Sequence, residues 1–251
     1  MPASNRFKGL LPIPALAAAA LASTLPAHAV VMVDDFSSGA FSGAFAAAPA
    51  PHDPTYHRQQ TGTMASGYRD WYLLVRGPED LGALVDITPA GFDLRSNMGV
   101  GHRFDWFYGE TYVGYDHSML LDFSHESTLR FGFAEVERGL NFNVLIYFRH
   151  QIDNYAQLGI NIAPTSSPVN VDFQLADFVA ADHTRPVDFS QVSGIYIVTQ
   201  SGGYYAGGGE SFRMTSISAV PEVPSGALLM AGLGAVGWAA RRTRRGDEGH
   251  A

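Results

Sequence analysis

Alternation of apolar and polar residues is the main pattern in the second half of the chain. It is clearest in residues 141–150, where Phe142, Val144 and Ile146 stand at every second position between more polar neighbours. Residues 128–136 show the same period of two, which is typical of a half-buried antiparallel strand. The short stretch that separates the two segments predicts a hairpin.

Other segments rich in β-branched and aromatic residues, bounded by turn-forming residues, predict the remaining strands. The predicted strands are 30–36, 68–75, 83–87, 91–95, 119–123, 128–136, 141–150, 155–162, 169–175, 194–200 and 211–220. Residues 37–54 are predicted to be loop and 99–115 a long surface excursion. Strands at this density without long helices predict an all-β fold, a single β-sandwich of the jelly-roll type.

The N-terminal 29 residues have the features of a secretory signal peptide. A basic start precedes the mostly apolar stretch 10–25, and small residues follow at Ala27 and Ala29. This pattern predicts cleavage before Val30. A retained N-terminal helix is the alternative, and prolines near the start of the stretch disfavour it.

An uncharged apolar run occupies residues 223–240 near the other end of the chain. As a helix it would rise roughly 27 Å, close to the hydrocarbon thickness of a bilayer. A basic cluster follows directly and is expected to stay in the cytoplasm. The cluster consists of Arg241, Arg242, Arg244 and Arg245. The run therefore predicts a transmembrane helix, with an ordinary tail anchor or a buried helix as alternatives.

Pro221 and Glu222 with a second proline at Pro224, the apolar run and the arginine cluster together resemble a PEP-CTERM sorting signal. That signal belongs to exported proteins of Gram-negative bacteria. The resemblance implies that an exosortase recognises the tail, and that the protein crosses the inner membrane to reach the cell surface or an exopolysaccharide or biofilm matrix. The sequence departs from the family motif at Val223, which displaces the second proline. The resemblance covers residues 220–251 and leaves 30–219 as the folded domain.

The composition of residues 30–219 narrows the functional classes. They contain ten arginines and twenty-one acidic residues, a formal charge of −11. Such a field opposes nucleic-acid binding and is compatible with neutral glycans or divalent cations. The chain has no cysteine, which excludes disulfides and lipoprotein attachment.

Two short segments carry a second resemblance. Residues 33–37, Val-Asp-Asp-Phe-Ser, are similar to the starts of exported jelly-roll domains of the galactose-binding or carbohydrate-binding-module type. Residues 187–195 are similar to the closing half of such domains. The resemblance implies a fold and transfers no binding residue.

No catalytic motif is complete in the chain. The zincin pattern that starts at His125 lacks its second histidine, the Walker spacing lacks its lysine, and no serine lies in a G-x-S-x-G turn. Asp34 and Asp35 form one pair of hard oxygen ligands, which makes them candidates for a structural calcium ion. The alternative for this pair is a solvated turn.

The aromatic segment 99–115 supplies candidate glycan contacts at Trp106, Tyr108 and Tyr112. Sugar rings present apolar C–H faces that stack on aromatic side chains. Core packing is the alternative for the same residues.

These patterns together favour a non-catalytic exported protein of the cell surface or matrix, with glycan binding as an added hypothesis. One alternative is a glycan lyase or hydrolase whose carboxylates come from distant strands. Another is a structural adhesion module with a self-associating edge strand.

Overall fold

The computed structural model describes eight segments that belong to one compact unit, Ala29–Glu222. They are residues 29–45, 55–60, 64–74, 83–96, 103–109, 119–182, 187–201 and 211–221. The predicted signal peptide up to residue 28 and the tail from residue 222 lie outside the described residues. Within the described part of the chain, no helix has the length and apolar character needed to span a membrane; the span predicted at 223–240 lies outside it.

The described residues form fourteen strands and two 3-10 turns, Leu175–Asp177 and Phe189–Gln191. The strands are β1 (Val31–Asp34), β2 (Phe41–Phe45), β3 (Thr55–Gln60), β4 (Tyr68–Leu74), β5 (Ala83–Thr88), β6 (Gly91–Ser96), β7 (Arg103–Gly109), β8 (Glu126–Val136), β9 (Leu140–Phe148), β10 (Gln151–Ile162), β11 (Val169–Gln174), β12 (Val179–Ala180), β13 (Val192–Ser201) and β14 (Ser211–Pro221).

These strands make two antiparallel sheets of seven strands each. Sheet A has the order β11-β8-β14-β6-β5-β2, with β1 also paired to β14. Sheet B has the order β12-β10-β9-β13-β7-β4-β3. The predicted all-β sandwich is confirmed.

The inner faces of the two sheets bury one apolar core. On β9 the alternate residues Phe142, Val144 and Ile146 are 0% exposed, as their spacing predicts. The ring of Phe142 in sheet B packs against Phe131 and Phe173 in sheet A, with ring centroids 4.9 and 5.9 Å apart. These edge and tilted contacts are the geometry that aromatic pairs prefer, so they join the sheets directly.

The last strand, β14, lies inside sheet A. It pairs with β8 along one edge and with β6 and β1 along the other. Val31 of β1 lies opposite Ala219 of β14, so the two ends of the described unit are neighbours. The strand continues to Pro221, which is in register with Glu126 of β8. The final strand therefore includes the first proline of the predicted sorting motif and extends past the predicted domain boundary at 219.

Several described segments differ from the prediction. Part of the predicted loop 37–54 forms β2 at an edge of sheet A, and β3 was not predicted. Part of the predicted surface excursion 99–115 forms β7, which pairs with both β4 and β13 inside sheet B. The segment 119–123 makes only an isolated bridge, from Leu121 to Val192. Irregular sequences such as those of β2 and β7 become strands only when neighbouring strands supply their backbone partners.

We predict that Leu129→Ala lowers the free energy of unfolding by about 2–5 kcal/mol, because Leu129 is fully buried and its truncation leaves a cavity. Leu120→Ala is the matched control. Leu120 is 64% exposed, so the loss is expected to stay within about 0.5 kcal/mol. Chemical denaturation of both variants measures the difference, and similar losses would contradict the assigned core.

Candidate functional site

A buried ion pair connects the two sheets. Asp34 at the end of β1 in sheet A is 1% exposed, and Arg69 on β4 in sheet B is 0% exposed. Arg69 Nε donates to Asp34 Oδ2 at 2.7 Å, and Arg69 Nη2 donates to Asp34 Oδ1 at 2.9 Å. A two-pronged contact of this kind is both strong and specific in geometry.

Neighbouring groups add further hydrogen bonds to this pair. The hydroxyl of Tyr108 on β7 donates to Asp34 Oδ2 at 2.5 Å, and the backbone N–H of Phe36 donates to Asp34 Oδ1 at 2.8 Å. Arg69 Nη1 donates to Gln59 Oε1 on β3 at 2.9 Å. We call Asp34, Arg69, Tyr108 and Gln59 the Asp34 cluster. Each carboxylate oxygen of Asp34 already accepts two hydrogen bonds, so Asp34 serves as an internal acceptor.

Burial and neighbouring charges fix the protonation of this cluster. Burial, followed by the charge of Asp34, raises the pKa of Tyr108 well above its usual value. Burial acts to lower the pKa of Arg69, but the interactions with Tyr108 and Asp34 outweigh it and the net shift is upward. Tyr108 therefore remains a donor and Arg69 a cation throughout the neutral range.

The cluster also holds a strained turn. Phe36 has a φ of 56°, in the left-handed region that bulky residues rarely adopt. Its N–H binds Asp34, and Arg69 Cζ lies 4.8 Å from the centroid of its ring. The hydrogen bond and the cation–π contact offset the cost of that conformation.

The structure separates the two predicted calcium ligands. Asp34 is buried in the cluster, whereas Asp35 is exposed and accepts hydrogen bonds from the hydroxyl and backbone N–H of Ser37 at 2.6 and 2.9 Å. These bonds, the hydroxyl first, lower the pKa of Asp35. Among the described residues, no three acidic or histidine side chains gather as a metal site requires. Asp34 does not fit a calcium ligand, because its oxygens are already saturated, and Asp35 matches the alternative of a turn.

The three aromatic residues predicted to contact glycan have different outcomes. Tyr108 is 0% exposed, so the core-packing alternative holds for it. The backbone of Trp106 lies in β7, paired with Trp71 of β4 and Ile197 of β13. The side chain of Trp106 and all of Tyr112 lie outside the described part, so their role stays a prediction.

A second set of side chains points away from the core on β9 and β10 of sheet B. The register pairs Tyr147 with Tyr155, Leu145 with Gln157, Asn143 with Gly159 and Asn141 with Asn161. We call these eight residues the amide–tyrosine face. Their chain neighbours Val144, Ile146 and Ala156 are 0% exposed. Because side chains alternate along a strand, the amide–tyrosine face lies on the outside of sheet B.

The tyrosine end of this face is packed against buried side chains. The rings of Tyr147 and Tyr155 lie 5.3 Å apart between centroids. Tyr147 is 4% exposed and Tyr196 on β13, opposite Leu145, is 3% exposed. With Val198 they form an apolar cluster distinct from the core. The half-buried Tyr155 is thus an accessible ring supported by buried neighbours.

The amide end of the face is a row of asparagines. Asn143 Nδ2 donates to Asn141 Oδ1 at 2.5 Å, and Asn141 Nδ2 donates to Asn161 Oδ1 at 3.1 Å. Asn161 and Gln157 are exposed, and the other two amides are half-buried. A side-chain amide has two N–H donors and two lone pairs, so this row keeps hydrogen-bonding capacity for a ligand.

The two outer faces of the sandwich differ in chemistry. All eight residues of the amide–tyrosine face are uncharged. The outer face of sheet A instead carries ion pairs, among them Arg130 with Asp172 at 2.7 Å and Arg213 with Asp93 at 2.9 Å. An accessible aromatic ring beside uncharged amides complements a ligand that has both apolar C–H faces and hydroxyl groups.

Sequence reasoning did not select this face, although part of its signal was present. The outward positions of β9 read Asn, Asn, Leu and Tyr, between the apolar residues that define the core. Their pairing with β10 depends on a two-residue turn at Arg149 and His150, whose φ values are 55° and 56°. Turns of this type usually contain Asn and Gly, so the residues Arg149 and His150 did not predict a turn at this position.

A cavity of about 350 Å³ lies at the end of β8. Its lining residues are Glu135, Val136, Glu137, Pro164, Thr165 and Ser166. Glu135 also pairs with Arg213 at 3.3 Å. None of these six described residues is aromatic, so the cavity is not the aromatic groove with facing carboxylates that a glycan-cleaving enzyme would need.

Comparisons with known proteins give structural neighbours only. No model of a known protein family matches the chain. No curated protein sequence matches it either. Similar solved structures include a family 11 carbohydrate-binding module from Clostridium thermocellum in complex with a beta-1,3-1,4-mixed-linked tetrasaccharide, at 12% identity and a TM-score of 0.40, covering 76% of this chain and 95% of that one.

Two further structures of this kind are similar to the chain. The family 11 module of the Clostridium thermocellum cellulosomal cellulase Lic26A-Cel5E is 12% identical with a TM-score of 0.40, covering 77% of this chain and 95% of that one. A solution structure of CtCBM11 is 13% identical with a TM-score of 0.42, covering 78% and 98%. The neighbours are of the kind that residues 33–37 and 187–195 resemble.

We predict that Arg69→Met lowers the free energy of unfolding by about 3–5 kcal/mol, because it leaves the carboxylate of Asp34 buried without its cation. Arg130→Met is the matched control, since Arg130 and Asp172 are 36% and 35% exposed and such a pair contributes about 0–1 kcal/mol. Urea denaturation at neutral pH compares the two variants. Equal losses would show that the Asp34 cluster does not join the sheets as described.

Proposed function

We propose that the chain is an exported, non-catalytic protein of the cell surface or extracellular matrix, and that its jelly-roll-like sandwich binds glycan. The observation that carries this proposal is the amide–tyrosine face, where Tyr155 lies beside a row of uncharged amides on the outside of sheet B. Stacking on the ring and hydrogen bonds to the amides are the two interactions that a sugar can make at once.

The rigidity of the face supports binding. The other faces of β9 and β10 are packed into the core, and Tyr147 in the face and Tyr196 beside it are 4% and 3% exposed. Side chains that are already ordered lose little conformational entropy when a ligand binds. This packing therefore lowers the entropic cost of binding a ligand at the face.

The placement of several described carboxylates supports a non-catalytic role. Asp34 is saturated by hydrogen bonds in the core, and on the outer face of sheet A arginines hold Asp93, Glu135 and Asp172. A glycosidase needs two carboxyl groups facing one sugar bond. Carboxylates held by arginines on the opposite sheet do not suit that task.

Sequence features at both ends support export and sorting. The predicted cleavage site before Val30 precedes β1, and the predicted motif begins at Pro221, the last residue of β14; the ends of these two strands are neighbours. We propose that a signal peptidase removes the first segment and that an exosortase-type enzyme processes the tail after transit through the inner membrane. The expected partner outside the cell is exopolysaccharide.

We predict that the full-length protein co-sediments with polysaccharide secreted by its own cells, and that Tyr155→Ala weakens this binding about tenfold. The expected loss of about 1.4 kcal/mol is what removal of one aromatic stacking contact costs. Sedimentation against increasing polysaccharide concentration gives the apparent affinity.

Tyr155→Phe is the matched control, because it keeps the ring and removes only the hydroxyl. It is expected to bind nearly as well as the parent protein. Equal binding by the parent and Tyr155→Ala would refute the proposed site. Self-association of the parent protein without polysaccharide binding would favour the structural adhesion alternative.

We predict that the mature protein starts at Val30, ends near Pro221 and is found at the surface or in the medium. Intact mass and cell fractionation measure both points. A variant without residues 222–245 keeps all of β14 and should lose correct localisation, because the sorting signal is gone. A full-length C-terminus retained in the inner membrane would instead indicate an ordinary tail anchor.

A further inference from the structure

Hydrogen bonds between the asparagine side chains of the amide–tyrosine face hold them in place. Asn143 donates to Asn141 at 2.5 Å, and Asn141 donates to Asn161 at 3.1 Å, so one chain of bonds crosses from β9 to β10. Among the described residues, no further protein group binds Asn143 Oδ1 or the amide nitrogen of Asn161. The chain of amides thus leaves an acceptor at one end and donors at the other.

Gly159 makes room for this arrangement. A Cβ at residue 159 would lie 2.1 Å from Asn143 Oδ1, far inside contact distance. Gly159 is not among the glycines with positive φ, so its backbone conformation does not require glycine. Glycine inside a strand costs stability and often marks a close approach by another group. Here the approaching group is the Asn143 amide, which lies across β10 in the space that a side chain would fill.

We propose that the amide–tyrosine face selects neutral polysaccharide chains, with a sugar ring on Tyr155 and hydroxyl groups hydrogen-bonded to the amides at Asn143, Asn141 and Asn161. This inference rests on the proposed glycan-binding function and names its ligand class. Neutral amides supply donors and acceptors without burying a charge. A polyanion would meet no cation among the eight residues and would be repelled by a domain whose formal charge is −11.

The length of the face indicates that its ligand is an oligosaccharide. From Tyr155 to Asn161 the strand advances by six residues, about 20 Å at roughly 3.3 Å per residue. That distance exceeds the size of one sugar ring. The bound chain therefore runs along β9 and β10, and longer oligosaccharides bind more tightly than a monosaccharide.

The test is affinity gel electrophoresis of the full-length protein in gels that contain one polysaccharide each. Hydroxyethylcellulose and galactomannan are the neutral probes, and alginate is the acidic probe. High ionic strength screens the net charge of the domain, so that the preference reports the chemistry of the face. We expect retardation by a neutral probe and none by alginate.

Four variants test the residues. Asn143→Ala and Gly159→Ala are each expected to weaken neutral binding about fivefold to tenfold, the usual range for one or two lost hydrogen bonds. Asn170→Ala, on the outer face of sheet A, is the matched asparagine control. Gly139→Ala is the matched glycine control, because its Cβ would come no closer than 3.8 Å to another group. Both controls should bind as the parent does.

The double variant Asn143→Ala/Gly159→Ala gives the sharpest result. If Gly159 acts only by making room for the Asn143 amide, adding Gly159→Ala to Asn143→Ala should cause no further loss of binding. Thermal unfolding of each variant verifies that the sandwich is intact.

Each outcome decides a separate point. Neutral binding that none of the variants weakens would overturn the assigned amides but leave glycan binding in place. Stronger retardation by alginate than by both neutral probes would overturn the neutral ligand class. Absence of retardation by all three probes, together with no sedimentation with the native polysaccharide, would overturn the proposed function itself.

Discussion

The ion pair of Asp34 and Arg69 is the interaction that ties the first strand to the rest of the sandwich. β1 has only four residues, and its register with β14 shifts between Met32 and Asp34, so its own hydrogen-bond ladder is short and irregular. Its last residue bonds across the core to side chains of β4 and β7. A charge buried at 1% exposure is tolerable only when it is paired and fully hydrogen-bonded. The pair therefore fixes the position of β1 relative to sheet B. In the same way, it fixes the positions of β4 and β7 relative to β1.

β9 contributes side chains to both the core and the candidate binding face. One side of this strand places Phe142 between Phe131 and Phe173 of sheet A. The other side carries the asparagines and tyrosine of the amide–tyrosine face. Because successive side chains of one strand alternate, anything that fixes the inner set also fixes the outer set. A binding face on a strand of this kind is preorganised by the same packing that stabilises the fold.

In the proposed function, processing of the chain ends and ligand binding belong to different sheets. Both ends of the described unit belong to β1 and β14 of sheet A, where processing is proposed. Sheet A also exposes arginine–carboxylate pairs, whereas the amide–tyrosine face belongs to sheet B and has no charge. The proposed processing at the chain ends and the proposed ligand binding therefore use different surfaces.

The sequence by itself determined the all-β class, the strands with clear alternation and the acidic, cysteine-free composition, because each depends only on local period or on counting. It did not determine β7, whose irregular sequence becomes a strand between β4 and β13. It also left Asp34 as a candidate metal ligand, since its partner Arg69 is 35 residues away along the chain.

The amide–tyrosine face could not be predicted from the sequence for a similar reason. The turn at Arg149 and His150, and the register shift between Gln151 and Tyr155, set which residues of β10 lie opposite β9. His150 N–H is held by Ser193 at 3.1 Å. Contacts between distant strands, and not local sequence, decide that register.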